Sequence, residues 1–226
     1  MSISEDELRQ QFQKVIGKLK AEVTDCLKDR YGCGFCVSKM EDDFDLRAEK
    51  LTIYPENDPA LHFTAWINAD RQITDDYIQQ LNLKKLEAAL TNALAAVGVT
   101  AAAKISIPDE IIRETDTSLS LGDFLKKHHP KSLLIRLLLE EASFDREKVV
   151  LTLGKAKEVY GPILYADCYS FASADFLKCR EIVSAYARIT TAMIQRYNVK
   201  THFTAYIPAE GDADIMIQTP AAREGK

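Results

Sequence analysis

Residues 62 to 67 read His-Phe-Thr-Ala-Trp-Ile, and residues 202 to 207 read His-Phe-Thr-Ala-Tyr-Ile. Successive side chains on a β-strand leave opposite faces. Each copy therefore sorts Phe63, Ala65 and Ile67, or Phe203, Ala205 and Ile207, from a histidine, a threonine and an aromatic ring. One face of each strand belongs in a core and the other does not, which calls for sheets packed against other elements on one side. Over nine positions, "HFTAWINAD" and "HFTAYIPAE" share six identities; Trp66/Tyr206 and Asp70/Glu210 are conservative exchanges and Asn68/Pro208 is dissimilar.

The segments around these strands supply helices. Ser4, Glu5 and Glu7 suit a helix start, and Leu8, Phe12, Val15, Ile16, Leu19, Val23 and Cys26 keep helical spacing as far as Gly32. "CGFCVSKM" and "LRAEKLTIYP" read as a hairpin across the acidic turn "EDDFD", and "ALHFTAWI" as a third strand. Thr74, Asp75 and Asp76 open a second helix that stops at Gly98. After a strand "TAAAKISIP" and the polar connector "DEIIRETDTSLSLG", Pro130 closes a short helix, "LGDFLKKHH". "SLLIRLLLEEA" and "EKVVLTLG" read as a second hairpin, "PILYADCYSF" as a further strand, and "SADFLKCREIVSAYARITTAMIQRYN" as a long amphipathic helix with Phe176, Ile182, Val183, Tyr186, Ile189, Met193 and Ile194 on its apolar side. "KTHFTAYIP" and "DIMIQTP" close the chain as strands.

The expected fold is α+β in two lobes, residues 1–118 and 119–226, each joining a mostly antiparallel sheet to long amphipathic helices. By element order the first HFTA strand aligns with "PILYADCYSF", whereas by sequence it aligns with "KTHFTAYI". A simple tandem duplication does not explain two alignments that are out of phase; a shared task for the two strands is one candidate explanation and coincidence is another.

Composition narrows the classes. A net charge of -5 argues against general affinity for double-stranded DNA, although a local basic patch could hold a short oligonucleotide. No run of about eighteen apolar residues marks a membrane span. Acidic residues stand near the start where a signal peptide would need basic ones, and five cysteines, an odd number, suit a reducing compartment, so the expected location is cytoplasmic.

The polar faces of the two strands offer His62, Thr64 and Trp66, and His202, Thr204 and Tyr206. Two imidazoles at one phosphodiester form a sensible pair, one accepting the proton of the attacking group and the other protonating the leaving oxygen. Threonine hydroxyls beside them suit the nonbridging oxygens, and the chemistry requires no cofactor. The strands resemble the paired H-x-[ST]-x-hydrophobic motifs of the 2H phosphoesterases, with His62 and Thr64 at one motif and His202 and Thr204 at the other. That resemblance implies a two-lobed α+β fold and action on 2',3'-cyclic or 2'-5' phosphodiester ends of nucleotides or RNA. It implies His62 and His202 as acid and base and Thr64 and Thr204 as phosphate ligands. Trp66 or Tyr206 stands where a base would stack. The rival class is a noncatalytic interaction module, chaperone-like or regulatory, with a protein partner or a second copy as its ligand.

Other motifs read as structure. Cys33 and Cys36 have redox spacing, but a helix precedes them and a strand follows, the reverse of the order that activates such thiols, so they read as alternating strand cysteines. A zinc site would need ligands beyond them, and His128 and His129 are adjacent and suit a cationic helix end. "EDDFD" lacks the spacing of a calcium loop.

Overall fold

Two separate sheets divide the chain in the computed structural model, which describes residues 5–43, 48–108, 110–185, 191–194 and 196–218. The α+β expectation holds. Helix α1 (Glu5–Tyr31) buries Leu19, Val23 and Leu27, one residue per turn, and ends where Gly32 takes φ 72° and donates to Lys28 O at 2.7 Å. Val15 of the expected apolar stripe is exposed, and the side chains of Leu8 and Phe12 lie outside the described residues.

The first sheet runs β1 (Phe35–Asp43), β2 (Ala48–Pro55), β3 (Phe63–Asn68) and β4 (Ile73–Asp75) in spatial as well as chain order, every pair antiparallel. Alternation decides its two faces. Leu51, Ile53, Phe63, Ala65 and Ile67 are buried, while Thr52, Tyr54 and Thr64 remain half-buried on the reverse side. Each large buried aliphatic or aromatic side chain contributes about 1.5–3 kcal/mol. Tyr31, Phe35, Phe63 and Tyr77 form an aromatic cluster at the end of that core, with Phe63 and Tyr77 centroids 5.0 Å apart. Part of the expected acidic turn, Phe44 and Asp45, lies outside the described residues. Helix α2 (Tyr77–Ala96) follows and is closed by Gly98 at φ 82°, as expected.

The second sheet has the order β5 (Ala101–Ser106), β6 (Ser132–Glu140), β7 (Ile163–Phe171), β8 (Val199–Ile207) and β9 (Asp214–Gln218). All neighbours are antiparallel except β6 and β7, which are parallel. A parallel pair needs a crossover, and the crossover corrects one expectation: "EKVVLTLG" is not a hairpin strand but part of α4 (Arg146–Tyr160). Asp145 caps this helix by accepting from Lys148 N at 3.2 Å. Val149, Thr152 and Leu153 are buried and Leu151 is exposed, which is helical spacing; a strand would have put Val149, Leu151 and Leu153 together.

Helix α3 (Leu121–His128) is capped by Ser120, which accepts from Asp123 N, and ends at His129 in the left-handed region. Where one long helix was expected, α5 (Ser173–Ala185) and the single turn α6 (Thr191–Ile194) are described; the positions of Tyr186 and Ile189 lie outside the described residues. Phe176 and Cys179 of α5 and Ile194 of α6 pack with Ala102, Leu138, Tyr169 and Phe171 on one end of the sheet face that carries His202. Helix α4 packs against β7 and β8.

The chain forms two compact units, residues 1–80 with 113–117 and residues 81–112 with 118–226. The expected lobe division at residue 118 takes no account of this interleaving. Strand β5 precedes that point in sequence yet belongs to the second sheet, because its backbone pairs with β6 from Ala101↔Leu139 to Ser106↔Leu134. Among the described residues, no helix is long and apolar enough to cross a membrane.

Candidate functional site

In the first unit His62 lies one residue before β3, half-buried, with its ring centroid 5.7 Å from that of Tyr54. Its Nδ1 is shut off from water and has no hydrogen-bond partner among the described residues. Thr64 is held by its backbone: Thr64 N donates to Asp76 Oδ1 at 2.6 Å, and Asp76 N donates to Thr64 O at 3.1 Å. Asp76 Oδ2 accepts from Gln80 Nε2 at 2.9 Å. Asp76 thus ties the motif strand to the start of α2. Trp66 is 6% exposed and presents little ring to a ligand.

Burial pushes the Asp76 carboxyl up to about 6, against the opposing effect of the Thr64 and Gln80 donors. A folded-state value above the ordinary one means that the folded chain holds this proton more tightly than the unfolded chain. The group's contribution to stability is full below about pH 4 and is lost as the pH rises through about 6, a change on the order of 3 kcal/mol. Asp76→Asn keeps an acceptor for Thr64 N and removes the titration. Urea unfolding at a series of pH values between 4 and 7 should show a flatter stability profile for Asp76→Asn than for wild type. An unchanged slope would assign the pH dependence to other groups.

In the second unit, β8 buries Phe203, Ala205 and Ile207 and turns His202, Thr204 and Tyr206 to the other face, as strand alternation requires. The His202 ring lies flat on buried Tyr169, centroids 4.2 Å apart and planes 13° apart. Its Nε2 stands 3.8 Å from Asp167 Oδ1, too long for a direct hydrogen bond, and has no partner within bonding distance among the described residues. Burial lowers the His202 pKa, and the Asp167 carboxylate opposes that shift. Next to Thr204, the side chains of Leu134, Tyr165, Asp167, Tyr206 and Met216 line a groove of about 570 Å³. Tyr165 and Tyr206, paired in register, bring their rings to 5.0 Å.

The structure therefore groups His202, Thr204 and Tyr206 on one face of the second unit, and His62 and Thr64 on one face of the first. Sequence reading missed Asp167, Tyr169 and Tyr165 beside them. These residues alternate on β7 as His202, Thr204 and Tyr206 do on β8, so the polar face was readable in "YADCY". That they face the HFTA strand follows only from the β7–β8 register.

Cys36 lies in β1 but Cys33 precedes it, so the two are not alternating strand cysteines, and they meet different neighbours. Cys33 lies beside Tyr77 of the aromatic core cluster, and Cys36 beside Tyr54, which lies against His62 on the other face of the sheet. Both thiols are free. Among the described residues, no group of three or more His, Cys, Asp or Glu side chains is arranged to hold a metal ion.

No family model matches the sequence, and no curated protein matches it. A solved structure does, that of a DUF5037 family protein from Ruminococcus gnavus ATCC 29149. It aligns with a TM-score of 0.65 at 15% identity, over 87% of this chain and 94% of that one. The two share a fold. At this identity the likeness extends to architecture and not to the site.

Proposed function

We propose that the chain is a metal-independent phosphodiesterase acting on cyclic or 2'-5' phosphodiester ends of nucleotides or RNA, with His62 and His202 as the acid–base pair. The observation that supports this reading is the shared orientation within each HFTA strand: the phenylalanine, alanine and isoleucine enter a core, while histidine and threonine leave it together. In the reaction, one imidazole takes the proton of the attacking water as its oxygen bonds to phosphorus. The other gives a proton to the departing ribose oxygen as the old P–O bond breaks. Thr64 and Thr204 hydroxyls donate to the nonbridging oxygens, where charge builds. Tyr206 and not Trp66 carries the base-stacking role, because Tyr206 lines the groove and Trp66 is buried. The test is hydrolysis of 2',3'-cyclic nucleotides in EDTA by wild type, His62→Ala and His202→Ala; equal rates in all three would exclude these roles.

A second reading, a noncatalytic protein-binding module, draws on β9. This edge strand exposes Met216 by 62% and Ile217 by 66%, with Ile215 also exposed. The apolar run Ile215–Ile217 on an exposed sheet edge is a template for another strand. On this reading, light scattering finds wild type self-associated at high micromolar concentration and Ile217→Lys monomeric, and neither hydrolyses cyclic nucleotides. Monomeric wild type, or self-association unaffected by Ile217→Lys, would remove the edge as an interface between copies.

A further inference from the structure

Register across β7, β8 and β9 sets six side chains of one sheet face in two rows of three. Asp167, Thr204 and Met216 form the first row, which Arg136 and Lys104 continue on β6 and β5, and Tyr165, Tyr206 and Asp214 form the second. All six line the groove of about 570 Å³, a volume that suits a small molecule. The two carboxylates therefore stand at opposite corners, Asp167 on β7 and Asp214 on β9. Tyr165 and Met216 hold the other corners, and Thr204 and Tyr206 lie between.

Charge decides what such a groove attracts. Among the described residues that line it, the charged ones are Asp167 and Asp214, so a cation is drawn to it from two sides. Arg136 neighbours Asp167 in the register but does not line the groove, and no ion pair joins the two among the described residues. Asp167 faces His202 Nε2 at 3.8 Å and remains 24% exposed, while Asp214 is exposed and without an ion pair among the described residues. Both keep oxygens for a ligand.

Two strand spacings across the sheet and two residues along it put the Cα positions of Asp167 and Asp214 about 12 Å apart. A charge-assisted hydrogen bond takes about 2.7–2.9 Å at each end, which leaves about 6 Å between two nitrogens on that diagonal, the span of a four-carbon chain. We infer that the groove binds a short aliphatic diamine, with one ammonium on the Asp167 carboxylate, the other on that of Asp214, and the methylenes against Tyr206 and Met216. Aliphatic amines keep their protons at neutral pH, as the lysine side chain does. The Thr204 hydroxyl accepts a further N–H at the Asp167 end. At the other end the ammonium meets Tyr206, the register partner of Asp214, whose ring attracts a cation. The inference does not rest on the phosphodiesterase reading; on that reading the diamine would compete with the base for Tyr206.

Calorimetric titration of the full chain at physiological ionic strength tests the assignment with three probes: 1,4-diaminobutane, butan-1-amine and butane-1,4-diol. Wild type should bind the diamine at least about tenfold more tightly than the monoamine, and the diol not measurably. Asp214→Asn, at an exposed position, should weaken the diamine by about 10–100-fold, to the level of the monoamine, and Asp167→Asn should do likewise. Tyr206→Leu should weaken diamine and monoamine alike. Glu158→Gln removes a negative charge from the exposed surface of α4 and should change neither. Circular dichroism and unfolding curves establish that each variant is folded, and the exposed Asp214 keeps the test decisive if the Asp167 variant is not.

Diamine binding that is absent from wild type, matched by the monoamine, unchanged in folded Asp214→Asn or weakened as much in Glu158→Gln would overturn the inference. The expected pattern in a chain that hydrolyses no cyclic nucleotide would leave it standing and remove the phosphodiesterase. Hydrolysis that needs both histidines, without diamine binding, would do the reverse.

Discussion

On the two-histidine reading proposed above, His202→Ala should lower the hydrolysis of a 2',3'-cyclic nucleotide by about 10²–10⁴-fold, and His62→Ala should do the same, because each would remove one of two proton transfers in a single displacement. On the same reading the double variant should be little worse than either single one, since a pair that acts as a unit is not additive. The pH profile makes the roles separable. Burial lowers the His202 pKa and Asp167 opposes it, so this imidazole stays neutral to lower pH than an unperturbed one. If His202 is the base, the acidic limb of kcat/KM falls below the ordinary histidine range. Asp167→Asn then takes away the raising influence and moves that limb to still lower pH while leaving the imidazole stacked on Tyr169. A limb that stays in place in Asp167→Asn would assign the base to His62. Rates within twofold of wild type for either alanine variant would end the two-histidine mechanism.

The candidate site was legible in part because strand alternation is local information. From "HFTAWI" and "HFTAYI" alone, the burial of Phe63, Ala65, Ile67, Phe203, Ala205 and Ile207 was predictable, and so was the shared face of each histidine and threonine. What surrounds them depends on pairing between distant strands. The row Lys104–Arg136–Asp167–Thr204 joins residues from four strands, and a one-residue slip in any pair would move its partner to the other face. Helix α4 was lost for a different reason. Val149, Val150, Leu151, Thr152 and Leu153 form a run rich in β-branched residues, whose intrinsic preference favours a strand. The Asp145 cap was the local signal against that preference, and the need for a crossover between parallel β6 and β7 the nonlocal one. Strand β5 shows the same limit, since its place beside β6 could not be read from residues 101–106 themselves.

Asp75→Ala destabilises the first unit by about 3–5 kcal/mol, the cost of stripping one partner from a buried ion pair. The carboxylate is 2% exposed and serves three donors: it pairs with Arg30, accepts from Tyr31 Oη at 2.8 Å and accepts from Tyr77 N at 3.0 Å. Alanine leaves the Arg30 guanidinium with the Ile73 carbonyl at 3.0 Å, and it deprives both the Tyr31 hydroxyl and the first N–H of α2 of this acceptor. Asp75→Asn keeps an oxygen for Tyr31 or Tyr77 and loses the charge, so its cost is smaller, about 1–3 kcal/mol. Both figures are large against the 5–15 kcal/mol by which a domain is usually stable. Urea unfolding should show the midpoint falling in the order wild type, Asp75→Asn, Asp75→Ala at a constant slope. An alanine variant within about 0.5 kcal/mol of wild type would show that the network carries no net stability. The expected loss also reaches the site, because Asp75 precedes Asp76, whose side chain holds Thr64 N at 2.6 Å. On the two-histidine reading, a folded Asp75→Asn protein should therefore lose kcat for cyclic nucleotides.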